Sequence, residues 1–124
     1  MADTFRVRAV RGATTIEVDE RDHLLDRTRE LIDAVLDRNA LTTDELISIW
    51  FTMTPDLHAA FPAEAARLGG ITDVPLMCAQ ELAIDTGIPR CIRLLAHVHT
   101  NKSAQELRHV YLHGARQLRT DLPE

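Results

Sequence analysis

Four groups of residues in this 124-residue chain have types and spacings that could do chemistry. Arg11 stands before Gly12, where an extended run meets a turn. An arginine at such a place is ordinarily a solvated rim charge. Arg93 differs, because it falls within the run Cys91–His99, in which Ile92, Leu94, Ala96 and Val98 make one wholly apolar face. Arginine is almost never fully buried unless it is paired, so Arg93 calls for a carboxylate partner or an anionic ligand. The stretch Cys78-Ala-Gln80-Glu81 offers such a carboxylate in Glu81, which on its own reads as a surface acid or as the ion-pair partner of Arg93. Cys78 reads as a small buried hydrophobe rather than a nucleophile, since no base stands at a diagnostic spacing. The fourth group is Tyr111 with the following Arg116-Gln-Leu-Arg119.

The histidines raise the question of a metal. His97 and His99 alternate onto one strand face, and His109 and His113 have i, i+4 spacing, so together they could supply a zinc site. There is no HExxH motif, no cysteine pair and no acid at a characteristic spacing, so the expectation is no metal and polar lining of a subunit interface instead. Nucleophile elbow, P-loop and GxGxxG patterns are missing as well, which leaves covalent hydrolase, NTPase and dinucleotide chemistry without a foothold. What remains is a set of arginines and one carboxylate, an inventory suited to binding an anion and stabilising charge upon it.

The bulk properties set bounds on the partners. The formal charge is −5 and no Lys/Arg block occurs, which argues against a nucleic-acid partner, since phosphate-backbone binding depends on a basic field. A local arginine cluster can still hold a small anion, because its field dominates within a Debye length. No stretch approaches the roughly 20 apolar residues that span a bilayer, so no membrane partner is expected. The opening Met-Ala-Asp-Thr-Phe-Arg has no basic region followed by an apolar one, so the expectation is no secretion signal and a cytoplasmic location. Cys78 and Cys91 are accordingly expected as reduced thiols. The length fits a single domain over residues 1–124.

The elements that must position these residues follow from periodicity. Phe5–Arg11 alternates, with Phe5, Val7, Ala9 and Arg11 on one side, and Thr14-Thr15-Ile16 continues the extension. Leu24, Leu25, Thr28, Leu31, Ile32, Val35 and Leu36 form one apolar stripe at helical spacing, with Asp19 the expected N-cap and Asn39 the expected stop. Thr42 and Glu45 make a capping box for a short helical turn. A strand then follows, in which Ile47, Ile49, Phe51 and Met53 oppose Ser48, Trp50, Thr52 and Thr54. Pro62–Arg67 reads as a short helix ended by Gly69-Gly70, Val74–Met77 as a short extended run, and Asp85–Arg90 as a loop. Ser103 and Glu106 predict a final helix through Leu107, Val110 and Tyr111, ended by Gly114. The order predicts an α+β fold, a mixed sheet with helices on one face and a half-polar second face that is either wet or packed on another subunit.

Five blocks, Arg11-Gly-Ala-Thr-Thr15, Thr54-Pro-Asp-Leu-His-Ala-Ala-Phe-Pro-Ala63, Val74-Pro-Leu-Met-Cys-Ala-Gln-Glu81, Cys91-Ile-Arg93 and Arg108-His-Val-Tyr-Leu112, resemble the monofunctional, trimeric chorismate mutases of bacteria. They stand in that family's order and spacing and cover the chain from Arg6 to Leu122. The resemblance implies a homotrimer forming a pseudo-α/β barrel, with clefts between subunits, and a cofactor-free Claisen rearrangement of chorismate to prephenate. That pericyclic reaction needs no nucleophile and no proton transfer. The protein must hold the diaxial conformer and stabilise charge growing on the ether oxygen.

By resemblance, Arg93 donates to the ether oxygen and a carboxylate, Arg11 binds a carboxylate, and Glu81 accepts from the ring hydroxyl. Cys78 then contacts the substrate near the ring hydroxyl, Tyr111 contacts a carboxylate, and Arg119 with Leu118 belongs to a tail closing over the site. Phe61, Ala63, Arg67, Leu76 and Met77 match cleft-lining positions, some of them supplied by a neighbouring subunit. Two positions depart from the pattern: Glu64 stands where a lysine is expected, and Met77 where a threonine is. Two other readings stay open on the residues: a trimeric imine or enamine deaminase, and a non-catalytic binder of aromatic-pathway metabolites.

Overall fold

The computed structural model describes residues 4–118. Seven regular elements follow in order: β1 (Arg6–Thr15), α1 (Arg21–Arg38), β2 (Leu46–Met53), α2 (Pro62–Leu68), β3 (Leu76–Gln80), β4 (Cys91–Thr100) and β5 (Val110–Tyr111). The strands form one mixed sheet ordered β3-β2-β4-β1-β5. The central β4 is antiparallel to both β1 and β2, while the edge strands β3 and β5 run parallel to β2 and β1.

The apolar face of β4 anchors the core. Leu94, Ala96 and Val98 are buried with Val10 of β1 and Ile49 and Phe51 of β2, beneath Leu31, Ile32 and Val35 of α1 and Ala63 and Ala66 of α2. The stripe predicted for α1 is thus its buried face. At Gly12 β1 lies tight under α1: a Cβ there would be 3.1 Å from the side chains of both Leu31 and Val35, which would have to give by a few tenths of an ångström. A smaller cluster of Ile16, Leu24, Leu25, Leu57, Ala65 and Ile92 extends the core toward the start of α1.

Four expectations need correction. The N-cap of α1 is Glu20, whose carboxylate accepts from the Asp22 and His23 N–H groups, because Asp19 is engaged elsewhere, accepting from His58 N–H and Ala59 N–H. β3 starts and ends later than Val74–Met77, since parallel pairing with β2 carries it to Gln80. The C-terminal helix does not form. Its capping box exists, with Ser103 N–H on Glu106 Oε1 at 2.7 Å and Glu106 N–H on Ser103 Oγ at 3.2 Å, but it closes only a turn. Asn39 then clamps both the N–H and the C=O of Arg108, and β1 offers a free edge at Gly12 and Ala13, so Val110–Tyr111 pairs there as a strand. A 3-10 turn over His113–Leu118 follows, and the Gly114 N–H donates to Thr15 Oγ1 rather than ending a helix.

A bulge between Leu46 and Ser48 also swings Ile47 out of the expected alternation, leaving it 41% exposed while Ile49 and Phe51 stay inside.

Candidate active site

Among the described residues no α-helix lies over the second face of the sheet; the 3-10 turn touches it at one edge, where Ala115 meets Ala13 and Cys91. Register decides which side chains meet there. Ala13 of β1 and Thr52 of β2 are the partners of Arg93 on β4, and Arg11 and Trp50 are the partners of Leu95. Arg93 therefore rises from the middle strand between a small alanine and a hydroxyl. Directly past β3, Glu81 is held by its N–H on Met53 C=O at 2.8 Å, and its side chain turns back over β2.

The centre of this face is a trio. Glu81 Oε2 accepts from Thr52 Oγ1 at 2.6 Å and lies 3.0 Å from Arg93 Nε. The Arg93 contact is Coulombic but out of line for a hydrogen bond, so the buried Nε–H has no acceptor. That Nε–H is closed off beside the carboxylate and costly to fold around, while the rest of the guanidinium, on a side chain that is 43% exposed, lines the hollows and suits a ligand rich in oxygen acceptors. Arg93 and Thr52 form the wall between two hollows. One, of about 470 Å³, is also lined by Arg11, Trp50, Tyr111 and Leu118. The other, of about 780 Å³, is bordered by Glu81 and by the loop over residues 82–89. Both fall in the size range of small-ligand sites.

Tyr111 reaches this place because β5 pairs with β1, and it packs with Ala13, Cys91 and Ala115. Arg11 is exposed, and its own N–H donates to His109 Nδ1 at 3.0 Å, which fixes that ring nitrogen as an acceptor. Among the described residues the Arg11 guanidinium makes no ion pair, so it too is available to an anion. Arg119 lies outside the described residues.

The remaining residues singled out from the sequence stand elsewhere on the chain. Cys78 pairs with Phe51 and packs toward the helices, lining a small recess of about 160 Å³ with Phe61. Ala63 is buried in the core and Leu76 packs against it. Phe61 and Arg67 are exposed around α2, and Met77 is exposed on the open face across from Trp50. Within one chain, then, Arg11, Glu81, Arg93, Tyr111 and Leu118 come together, and of the α2–β3 set only Met77 shares their face of the sheet, beside Trp50. Glu64 is gripped by both terminal nitrogens of Arg21, and this hydrogen bonding holds its carboxyl below the usual range. The acid at that position is thereby neutralised from α1.

The histidines go four ways. His97 faces Ser48, His99 stacks near Phe5, His109 accepts from Arg11 and His113 bonds Glu30. Among the described residues no cluster of three or more metal-ligating side chains forms. Both cysteines are free, and burial pushes the Cys91 thiol up to about 11, which leaves it inert.

Two residues on this face were not singled out from the sequence, Thr52 and Trp50. Both were legible as open-face positions of β2, but only the strand order reveals that this face borders Arg93.

The chain matches the family model described as chorismate mutase type I over residues 7–122. It is 38% identical over 117 residues to chorismate mutase AroH of Bacillus subtilis (strain 168), covering 94% of this chain and 92% of that protein. It is 44% identical over 117 residues to chorismate mutase AroH of Thermus thermophilus, covering 94% and 96%. Its fold is similar to the solved structure of a chorismate mutase from Clostridium thermocellum, with a TM-score of 0.88, 43% identity and coverage of 89% of this chain and 98% of that one.

Proposed function

The chain belongs to the chorismate mutase type I family and is a chorismate mutase, an isomerase, and we propose that it works by electrostatic stabilisation at a cleft completed by a second copy of itself. The observation that carries this reading is the half-satisfied trio of Thr52, Glu81 and Arg93, open to a hollow that Arg11 and Tyr111 also line.

Chorismate carries two carboxylates, a ring hydroxyl and the ether oxygen of the breaking bond. Arg93 supplies a planar fork whose donors reach the ether oxygen and one carboxylate together, which a lysine point charge cannot do. Charge on the ether oxygen grows toward the transition state, so that contact accelerates the reaction instead of merely binding substrate. Glu81 accepts from the ring hydroxyl through the oxygen that Thr52 leaves open. Arg11 and Tyr111 hold carboxylates and keep the reactive conformer folded. No bond to the protein forms and no proton moves, so the reaction asks for no cofactor.

We assign residues 1–124 to one cytoplasmic chorismate mutase domain that assembles as a homotrimer with no nucleic-acid or membrane partner. The open face supports assembly: Phe5, Val7, Trp50 and Met77 are 49%, 60%, 43% and 54% exposed on it or at its edge, a large apolar area for one small chain. In the trimer, Phe61, Arg67 and Met77 of one subunit line the cleft of the next, with Cys78 behind them. Arg119 is assigned to substrate binding by the family resemblance alone.

The test is a continuous assay of chorismate disappearance in buffer containing EDTA, with prephenate identified as product and the assembly weighed by analytical ultracentrifugation. Turnover by a trimer agrees with the reading. Turnover by a monomer removes the shared cleft.

A further inference from the structure

We propose that Thr52 is the positioning residue for Glu81, setting which carboxylate oxygen is free for substrate and keeping the acid from closing on Arg93. The proposal rests on the reading of Glu81 as a substrate contact.

The geometry is specific. Among the described residues, Thr52 Oγ1 is the only side-chain donor hydrogen-bonded to Glu81, at 2.6 Å on Oε2. An O–H on an ionised carboxylate at this separation is a charge-assisted bond, about twice as strong as a neutral one. Threonine is β-branched and stiff at χ1, so the hydroxyl is aimed by the strand itself. Glu81 has no such stiffness. Its main chain is tied to β2 by one bond, from its N–H to Met53 C=O, and the chain then leaves the sheet into the loop over residues 82–89.

The competitor for Glu81 is close by. Arg93 Nε is already 3.0 Å from Oε2 without a hydrogen bond. A small rotation of the glutamate would convert this contact into a fork-to-carboxylate pair. That pair would consume the donors assigned to substrate. Thr52 occupies Oε2 and holds the carboxylate in the skewed position, so Arg93 keeps its unsatisfied donor and Glu81 keeps Oε1. Burying an unpaired Nε–H is unfavourable by itself. The hydrogen bond from Thr52 to Glu81 offsets part of that cost and holds the alternative pairing out of reach.

The experiment compares Thr52→Val, Thr52→Ser and Thr52→Ala in the assembled enzyme, each also combined with Glu81→Ala. Prephenate binding is followed by the fluorescence of Trp50, the single tryptophan, which lines the same hollow. Loss of one hydrogen bond to a charged group predicts that kcat of Thr52→Val falls about 10- to 100-fold. Thr52→Ser keeps most of the wild-type rate, because it restores the hydroxyl. In the Glu81→Ala background, Thr52→Val has little further effect. Should Thr52→Val not fold, Thr52→Ala against Thr52→Ser makes the same comparison. A wild-type rate for the valine and alanine variants overturns the proposal. So does an undiminished loss when Glu81 is already alanine. Glu81→Ala at wild-type rate removes the reading of Glu81 and this proposal together, whereas a slow Glu81→Ala beside a fast Thr52→Val removes this proposal alone.

Discussion

Two corners of the sheet each carry a threonine, a carboxylate and an arginine and treat them differently. In one, Thr54, Asp56 and Arg90 meet where β2 ends and β4 begins. In the other, Thr52, Glu81 and Arg93 meet one step further into the same two strands. At the first corner the polar groups are partnered. Asp56 accepts from Thr54 Oγ1 at 2.5 Å and from Arg90 N–H at 2.9 Å, Thr54 accepts from Cys91 N–H at 3.0 Å, and Arg90 Nε donates to Ile16 C=O at 3.1 Å. Arg90 adopts a left-handed φ of 49° to do so, a conformation that the bonds around it fix. At the second corner Arg93 keeps a buried donor without an acceptor. Native proteins rarely leave such groups unmade, and a catalytic role is one of the reasons they do; Arg8 Nε and Thr14 Oγ1 are likewise unpaired, but only Arg93 stands beside a carboxylate and lines both hollows. The satisfied trio is a joint at the margin of the larger hollow, and the unsatisfied one holds the wall between the two hollows.

The comparison breaks most sharply at Arg93. Arg93→Ala is expected to lose about a thousandfold or more in kcat, since one oxyanion-type donor is worth on the order of 3–4 kcal/mol and the guanidinium also holds a carboxylate. Arg93→Lys should be nearly as slow, because charge without the fork cannot make both contacts. Steady-state kinetics on a correctly assembled variant decides it, and near-wild-type turnover would end the mechanism. Glu81→Ala comes next, a large but smaller loss, checked by weaker binding of a transition-state analogue; unchanged affinity would count against its role. Arg11→Ala should act through one carboxylate, raising KM with a loss in kcat/KM of about 10- to 100-fold.

At the joint the expectation reverses. Thr54→Val removes the acceptor of the Cys91 N–H, at a position with no exposure, so stability should fall by about 1–3 kcal/mol. The kcat at low temperature should stay close to wild type. Urea denaturation at fixed protomer concentration measures the first quantity and the chorismate assay the second. If Thr54→Val slowed catalysis as much as Thr52→Val while remaining folded, the two corners would not be separable in this way.

Much of this arrangement was legible from residue types. The apolar stripe of α1 and the one-sided strand around Arg93 turned into the elements they suggested, because each is local and periodic, and the capping box at Thr42 closes a single 3-10 turn over Thr43–Glu45. The strand at Val110–Tyr111 was not legible. A spacing of three and four between Leu107, Val110 and Tyr111 suits a helix, and the segment pairs with β1 only because Asn39 draws Arg108 into place from 69 residues away. The same limit applies to the site. Arg93 and Glu81 announced themselves by type, but whether Cys78 shares their side of the sheet depends on strand direction and register. Cys78 turns toward Phe51 and the helices, and its neighbour Met77 takes the open face. The role of Thr52 lies on the same level, visible only once β2 and β4 are known to be neighbours.

The smallest expected effect tests the electrostatics of the joint. Burial pushes the Asp56 carboxyl up, but hydrogen bonds from Thr54 and from the Arg90 and Asp56 N–H groups, with the Arg90 charge, outweigh it and hold the group below its ordinary value. A carboxyl lowered in the folded state gives stability that is fully present above its unfolded pKa, about 3.9, and lost as the pH falls through the folded one. Asp56→Asn should therefore be less stable than wild type at pH 7, and the gap should narrow in acid below the unfolded value. Asp56 is exposed, so water screens its partners and the narrowing should be a few tenths of a kcal/mol, read from urea midpoints at both pH values. A gap that stays constant with pH would mean that the joint is held by hydrogen-bond shape, which asparagine fails to copy, and not by charge. The contrast with the open corner would then rest on satisfied geometry alone.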